Sequence, residues 1–203
     1  MRRMMRGGCA LLVLLTGCSG RPDIANRDSR GSAIICFGDS LTAGVGASPG
    51  HDYPTLLSHR LGRMVINAGA SGDTTRLALG RLTQDVLEKH PKLVIVELGG
   101  NDFLQRVSWD ETFANLTTIV RTIQEHGAMV VLVGVQPGLL GDGAREEYRK
   151  IAHARRAAFV PNILEGILTE SQLKSDEIHP NDAGYEKIAQ RIASAVEPLL
   201  RSP

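Results

Sequence analysis

The sequence predicts an α/β domain built on a parallel sheet, and three observations carry that prediction. Continuously apolar runs rich in Ile, Val and Leu recur without an alternating polar face, as strands buried on both sides do. Stretches at helical spacing separate them, which is the order of a sheet covered by helices. The chain is 203 residues long, a length that suits one domain. Hydrophobic residues make up 42% and charged residues 22%, an ordinary globular balance, while only 4% are aromatic, so the core must be aliphatic. A net charge of +1 gives no basic excess, and no nucleic-acid partner is expected. Three cysteines offer neither a disulfide framework nor zinc spacing.

The elements follow in order. Ala33–Phe37 reads as a buried strand ending at Gly38, with Cys36 as a small core residue. Residues 54–61 form a helix stopped by Gly62, and Met64–Asn67 is the second strand. Leu77, Leu79, Leu82, Val86 and Leu87 mark a helix over 74–90 that Pro91 ends. Leu93–Leu98 is the third strand. Ser108 and Glu111 fit a capping box opening a helix to about His126-Gly127. Met129–Val135 is the fourth strand, closed by Pro137. A basic helix around 144–156 precedes a weak strand near 157–160, and the last helix spans about 182–200. A central parallel sheet of about five strands results.

The first thirty residues read differently. Arg2, Arg3 and Arg6 precede an apolar run, residues 9–15, and small or polar residues 16–19 follow. That is the layout of a secretory signal, and the run is too short to span a bilayer. Leu15-Thr16-Gly17-Cys18 resembles the bacterial lipoprotein box, which implies a signal peptide over 1–17, removed together with Cys9, and a lipid on Cys18. Stable anchoring needs two acyl chains, each buried methylene contributing about 0.8 kcal/mol. Residues 19–30 are polar and read with Cys18 as a tether over 18–30, reaching about 40 Å at full extension. The domain proper is then 31–203. The expected location is the periplasmic face of a bacterial membrane, or the periplasm or medium if Cys18 carries no lipid. Losing three arginines with residues 1–17 turns the net +1 into −2. A lipid and apolar contact, rather than charge, would then hold the domain near a membrane.

Ligands of such sheets bind beyond the C-terminal ends of the strands. Four polar clusters fall there: Gly38-Asp39-Ser40, Gly69–Thr74, Gly99–Asp102 and Asp176–His179. Ser40 ends a buried strand, and a serine needs an adjacent base to act as a nucleophile. Of six histidines, only His179 has a carboxylate three residues upstream with proline after it. A turn brings residues i and i+3 within about 7 Å, so Asp176 can accept the Nδ1 proton of His179. Taken alone, that spacing also suits a decorated helix N-terminus or metal ligation. An acyl-transfer site further needs oxyanion donors, each worth about 2.7–4 kcal/mol. The Ser40 and Gly72 amides and the Asn101 side chain are candidates, against turn-forming and loop-capping roles for the last two.

With these blocks in order, the chain resembles the GDSL or SGNH hydrolase family. Gly38-Asp39-Ser40-Leu41, the Gly72 segment, Gly99-Gly100-Asn101-Asp102 and Asp176-x-x-His179-Pro180 carry the likeness across nearly all of residues 31–201. Asn67–Thr74 and Val96–Asp102 are most similar to its bacterial thioesterase/lysophospholipase/arylesterase branch. The resemblance implies a three-layer α/β/α, flavodoxin-like fold. It implies Ser40 as nucleophile, His179 as base, Asp176 as orienting acid, and Ser40, Gly72 and Asn101 as oxyanion hole. No metal or organic cofactor is implied, and the substrate is an acyl ester or thioester. A monomer is expected. Ser40 lacks a G-x-S-x-G elbow, in keeping with that fold. The chain is shorter than this branch between Tyr148 and Pro161, so a truncated fourth helix and a poor fifth strand are expected.

Leu41, Phe103, Leu104, Leu139, Leu140 and Ile178 are candidates for an acyl groove, though base rates assign some of them to the core. An acetyl or carbohydrate esterase is the alternative within this chemistry, and a non-catalytic acyl- or glycan-binding envelope lipoprotein the alternative outside it. Nucleotide binding through Gly44–Gly50 fails, because Pro49 replaces the third glycine and no Lys-Ser/Thr follows.

Overall fold

A computed structural model describes residues 23–135 and 142–201. Among these residues five strands, β1 (Ala33–Gly38), β2 (Val65–Gly69), β3 (Pro91–Glu97), β4 (Met129–Val133) and β5 (Ala158–Val160), pair in parallel in the order β2-β1-β3-β4-β5. That order is the flavodoxin-like one, with its topological switch between β1 and β3. Among the described residues seven α-helices accompany it: α1 (Ser40–Ala43), α2 (Tyr53–Leu61), α3 (Thr75–Asp85), α4 (Gly100–Leu104), α5 (Trp109–Glu125), α6 (Asp142–Ala154) and α7 (Asp182–Leu200).

Alternate residues of each strand feed two cores. Ile34, Cys36, Leu93, Ile95, Val131 and Val133 pack against α2 and α7 through Tyr53, Leu57, Ile188 and Ile192. Ile35, Phe37, Val94, Val96, Val130 and Leu132 pack on the other face against Leu82, Leu116, Ile119 and Ile123. The three-layer α/β/α prediction therefore holds, and Cys36 is fully buried, with burial pushing its thiol up. Caps fix the helix starts: Asp52 accepts from the Thr55 amide (3.0 Å), Ser108 from Glu111 (3.2 Å) and Asn181 from Gly184 (3.2 Å). Glu111 does not close the expected capping box but stands 3.8 Å from Arg76.

Several boundaries differ from expectation. The helix predicted over 74–90 stops at Asp85. Val86 leaves helical angles (φ −126°, ψ −60°) to enter the core fully buried, and a 3-10 turn at Leu87–Lys89 follows. The third strand starts at Pro91, and the fourth stops at Val133. The helix expected around 144–156 runs from Asp142 to Ala154, and β5 is only three residues long, the poor fifth strand that was expected. The largest difference lies in the segment read as tether. Ile24 is buried, the Ala25 amide donates to Arg156 O (2.8 Å), and Asn26 Nδ2 donates to Gln124 O (2.7 Å) and Ala128 O (3.0 Å). Residues 23–30 are thus docked on the domain. The signal over 1–17, Cys18, Leu139 and Leu140 lie outside the described residues.

Candidate active site

The site forms at the C-terminal ends of β1 and β3, beside the topological switch. After Gly38, the Asp39 carboxylate accepts from the Leu41 amide (3.0 Å) and caps α1, so Ser40 becomes the first residue of a helix. The His179 Nε2 lies 3.0 Å from Ser40 Oγ, across 139 residues of chain. On the other side of the ring, Nδ1 lies 2.8 Å from Asp176 Oδ2. Asp176 Oδ1 accepts from the Ile178 and His179 amides, both at 2.8 Å, so the carboxylate fixes loop and ring together. The His179 hydrogen bond, followed by the Ile178 amide, holds the Asp176 carboxyl below its usual range. A serine–imidazole–carboxylate chain of these lengths can pass the hydroxyl proton to the ring while the acid keeps the ring oriented.

Gly72 stands at the tip of the β2–α3 loop, exposed, with φ of +84°, a conformation that strains any residue with a Cβ. Asn101, the second residue of α4, donates from Nδ2 to Asp39 Oδ2 (3.1 Å) and to Asp73 O (3.0 Å). Both of its amide hydrogens are therefore engaged, one of them by the residue next to Ser40. Use of Asn101 on a substrate oxygen requires one of these bonds to open or be shared.

Three supporting residues went unassigned at the sequence level. Asp39 is the first, although an acid before a helix-opening serine is an N-cap signal. It is buried, and its carboxyl is pushed up to about 6, chiefly by burial, against the Leu41 amide and the charge of His179. Glu97, at the end of β3, is the second. It is fully buried, and burial followed by the Asp39 charge raises its carboxyl well above the usual range. Thr42 Oγ1 donates to Glu97 Oε2 (2.7 Å) and lies 2.7 Å from the Tyr53 hydroxyl, while Glu97 Oε1 has no partner among the described residues. Arg81 of α3 is the third. It donates to Gly38 O, Ala68 O (both 2.9 Å), Asp73 Oδ2 (2.6 Å) and Asp85 Oδ2 (2.9 Å), with its guanidinium 4.4 Å from the Phe37 ring centroid. It ties the serine-bearing strand end to the Gly72 loop.

Of the groove candidates, Leu41, Leu104 and Ile178 line the crevice at Ser40, with Val135 and Leu164; its volume is about 30 Å³. Phe103 instead stacks on Trp109 (6.1 Å). Phe103, Leu104, Trp109 and Ile178 are all exposed, giving the catalytic edge an apolar rim. Larger hollows exist at the N-terminal ends of the strands; Ser29, Ser32, His90 and His126 line one of them, but no serine hydroxyl there is hydrogen-bonded to an imidazole among the described residues. No group of three or more metal-ligating side chains occurs among the described residues.

A serine hydrogen-bonded to an imidazole after the first strand of a 2-1-3-4-5 sheet, with a D-x-x-H loop before the last helix, is an arrangement distinct from the G-x-S-x-G type of serine hydrolase. Residues 36–187 match the GDSL-like Lipase/Acylhydrolase family, and the chain belongs to it: it is a carboxylic ester hydrolase of the SGNH/GDSL kind. It is 31% identical to Esterase TesA of Pseudomonas aeruginosa, over 98% of this chain and all of that one. It is 30% identical to Thioesterase 1/protease 1/lysophospholipase L1 of Escherichia coli K12, over 86% of this chain and 88% of that protein. A crystal structure of TesA superposes with a TM-score of 0.77, covering 83% of this chain and all of that one at 31% identity.

Proposed function

We propose that Ser40, His179 and Asp176 hydrolyse acyl esters or thioesters through an acyl-enzyme, the carrying observation being the 3.0 Å and 2.8 Å contacts on the two nitrogens of His179. His179 Nε2 takes the Ser40 proton as Oγ bonds to the acyl carbon. The carbonyl oxygen becomes an oxyanion facing the Ser40 and Gly72 amides and Asn101 Nδ2. His179 then protonates the departing alcohol or thiol, and water, deprotonated by the same nitrogen, releases the acid and restores Ser40.

The apolar rim of Leu104, Ile178 and Phe103 favours an acyl chain lying along the surface, as arylesterase, lysophospholipase or acyl-thioesterase substrates would supply. The narrowness of the crevice favours the second reading, an acetyl or carbohydrate esterase. p-Nitrophenyl esters from acetate to palmitate, beside an acyl-CoA and a lysophospholipid, separate the two: rates rising beyond butyrate support the first and collapsing beyond acetate the second. Ser40→Ala is expected to abolish turnover of every substrate, and undiminished turnover would refute the assignment.

The N-terminus belongs to the same proposal: residues 1–17 direct export, and Cys18 carries the lipid. With residues 23–30 docked, only residues 18–22 remain as spacer, about 17 Å at full extension. Intact-mass measurement of the mature protein tests this; retained residues 1–17 or an unmodified Cys18 would overturn it. Among the described residues no helix is long and apolar enough to cross a membrane.

A further inference from the structure

A mature net charge of −2 conceals a segregation of charge along the strands. The loops at the strand N-terminal ends, with the end of α7, carry Arg27, Arg30, Arg63, Lys89, Arg156 and Arg201 against Asp23, Asp28, Glu88 and Glu197, the last paired with Arg201. Arg30, Arg63 and Lys89 are exposed and form no ion pair among the described residues. The opposite, catalytic edge carries Asp110, Glu111, Glu165, Glu170, Asp176 and Glu177 against Arg76, Arg106 and Lys174. Two further features mark the basic edge. Met64, between Arg63 and β2, is the most exposed large apolar side chain among the described residues, at 81%. A hollow of about 450 Å³ beside the docked N-terminal segment has Ile24, Phe159 and Leu199 in its wall, with Arg27 and Arg201 also lining it. Asp23 itself stands at this edge, paired with Arg156, so the chain outside the structure leaves from here.

We propose that this basic edge docks on an anionic lipid bilayer, leaving the catalytic edge turned to the aqueous phase. Cations beside exposed apolar side chains suit phosphodiester headgroups above acyl chains, and each Lys or Arg near such a surface adds to the attraction. The acidic catalytic edge is repelled from the same surface, so the field orients the domain as well as holding it. If Cys18 is acylated, its short spacer starts from the docking edge and permits the same orientation. Substrate would then reach Ser40 from the aqueous side, and not from the leaflet beneath the enzyme. The proposal extends the assigned hydrolysis but does not depend on its chemistry.

Hydrogen exchange of the mature protein on phosphatidylglycerol-containing vesicles, against pure phosphatidylcholine vesicles, tests it. Amides of 27–32, 62–64, 87–90 and 155–157 are expected to gain protection on the anionic vesicles only, with 70–74, 99–106 and 176–179 unchanged. Arg63→Ala with Lys89→Ala is expected to weaken binding to those vesicles about thirtyfold, with hydrolysis of a soluble acetate ester unchanged. Protection of the catalytic loops, or equal protection on both vesicle types, would overturn the proposal. An inactive protein that still docks would refute the hydrolytic assignment and leave this one standing; intact mass, read in parallel, reports the state of Cys18.

Discussion

The two ends of the strands treat polar groups in opposite ways. At the N-terminal ends, loops are tied by bonds that serve the fold: Asn26 Nδ2 reaches two carbonyls, and Gln124 Nε2 donates to Arg155 O (2.6 Å). At the C-terminal ends, Asp39 and Glu97 lie buried with raised carboxyls, one carboxyl oxygen lacks any described partner, and Gly72 sits at positive φ. A buried unpaired oxygen costs about 1–3 kcal/mol. Such features persist where geometry is held for chemistry at the expense of stability, and here they surround Ser40.

That contrast can be broken at its strongest point first. Asp176→Asn keeps the loop bonds in reach but loses the carboxylate that orients His179, and kcat is expected to fall about 10³–10⁴-fold with Tm nearly unchanged, because Asp176 is half exposed. A comparable fall in Tm would mean that Asp176 also serves the fold. Arg81→Met retains contact with Phe37 but removes the donors to Gly38, Ala68, Asp73 and Asp85. It is expected to cost about 2–3 kcal/mol, read in urea, and to lower kcat about tenfold through the loosened Gly72 loop. A stability loss with full activity would detach Arg81 from the site.

The smallest effect is the most diagnostic of buried charge. A carboxyl whose folded pKa is raised contributes fully below its unfolded pKa, and that contribution is lost as pH rises through the folded value. Asp39 should impose such a loss as pH rises through about 6, and Glu97 over a higher range. Glu97→Gln removes one of these losses. The variant should match the parent near pH 4 and melt roughly 3 °C higher near pH 8. A variant less stable at both pH values would show that Glu97 is ionised and paired in the fold.

Strands β1, β3 and β4 were legible because runs such as Leu93–Val96 are buried on both faces, and buried parallel strands write that into sequence. Ser40, Gly72, Asn101, Asp176 and His179 stand out as candidates in the sequence because each lies at or near a strand end or in the loop before α7, in family order, and the structure joins Ser40, His179 and Asp176 by hydrogen bonds. Arg81 does not, since its acceptor at Gly38 lies 43 residues away and α3 places no constraint on that side chain from sequence alone. Residues 23–30 misled because one apolar residue, Ile24, and backbone bonds hold them, and polar composition conceals both. α1 and α4, at four and five residues, are too short for any periodicity to announce.

The central claim is that His179 and Asp176 make Ser40 the nucleophile of the molecule. Its most direct test is covalent labelling by a fluorophosphonate, located by peptide mass. One adduct on Ser40 is expected, absent in Ser40→Ala and slowed at least a thousandfold, on the order set by loss of the base, in His179→Ala. An adduct on another residue, or an unlabelled Ser40 in a preparation that hydrolyses esters, would contradict it.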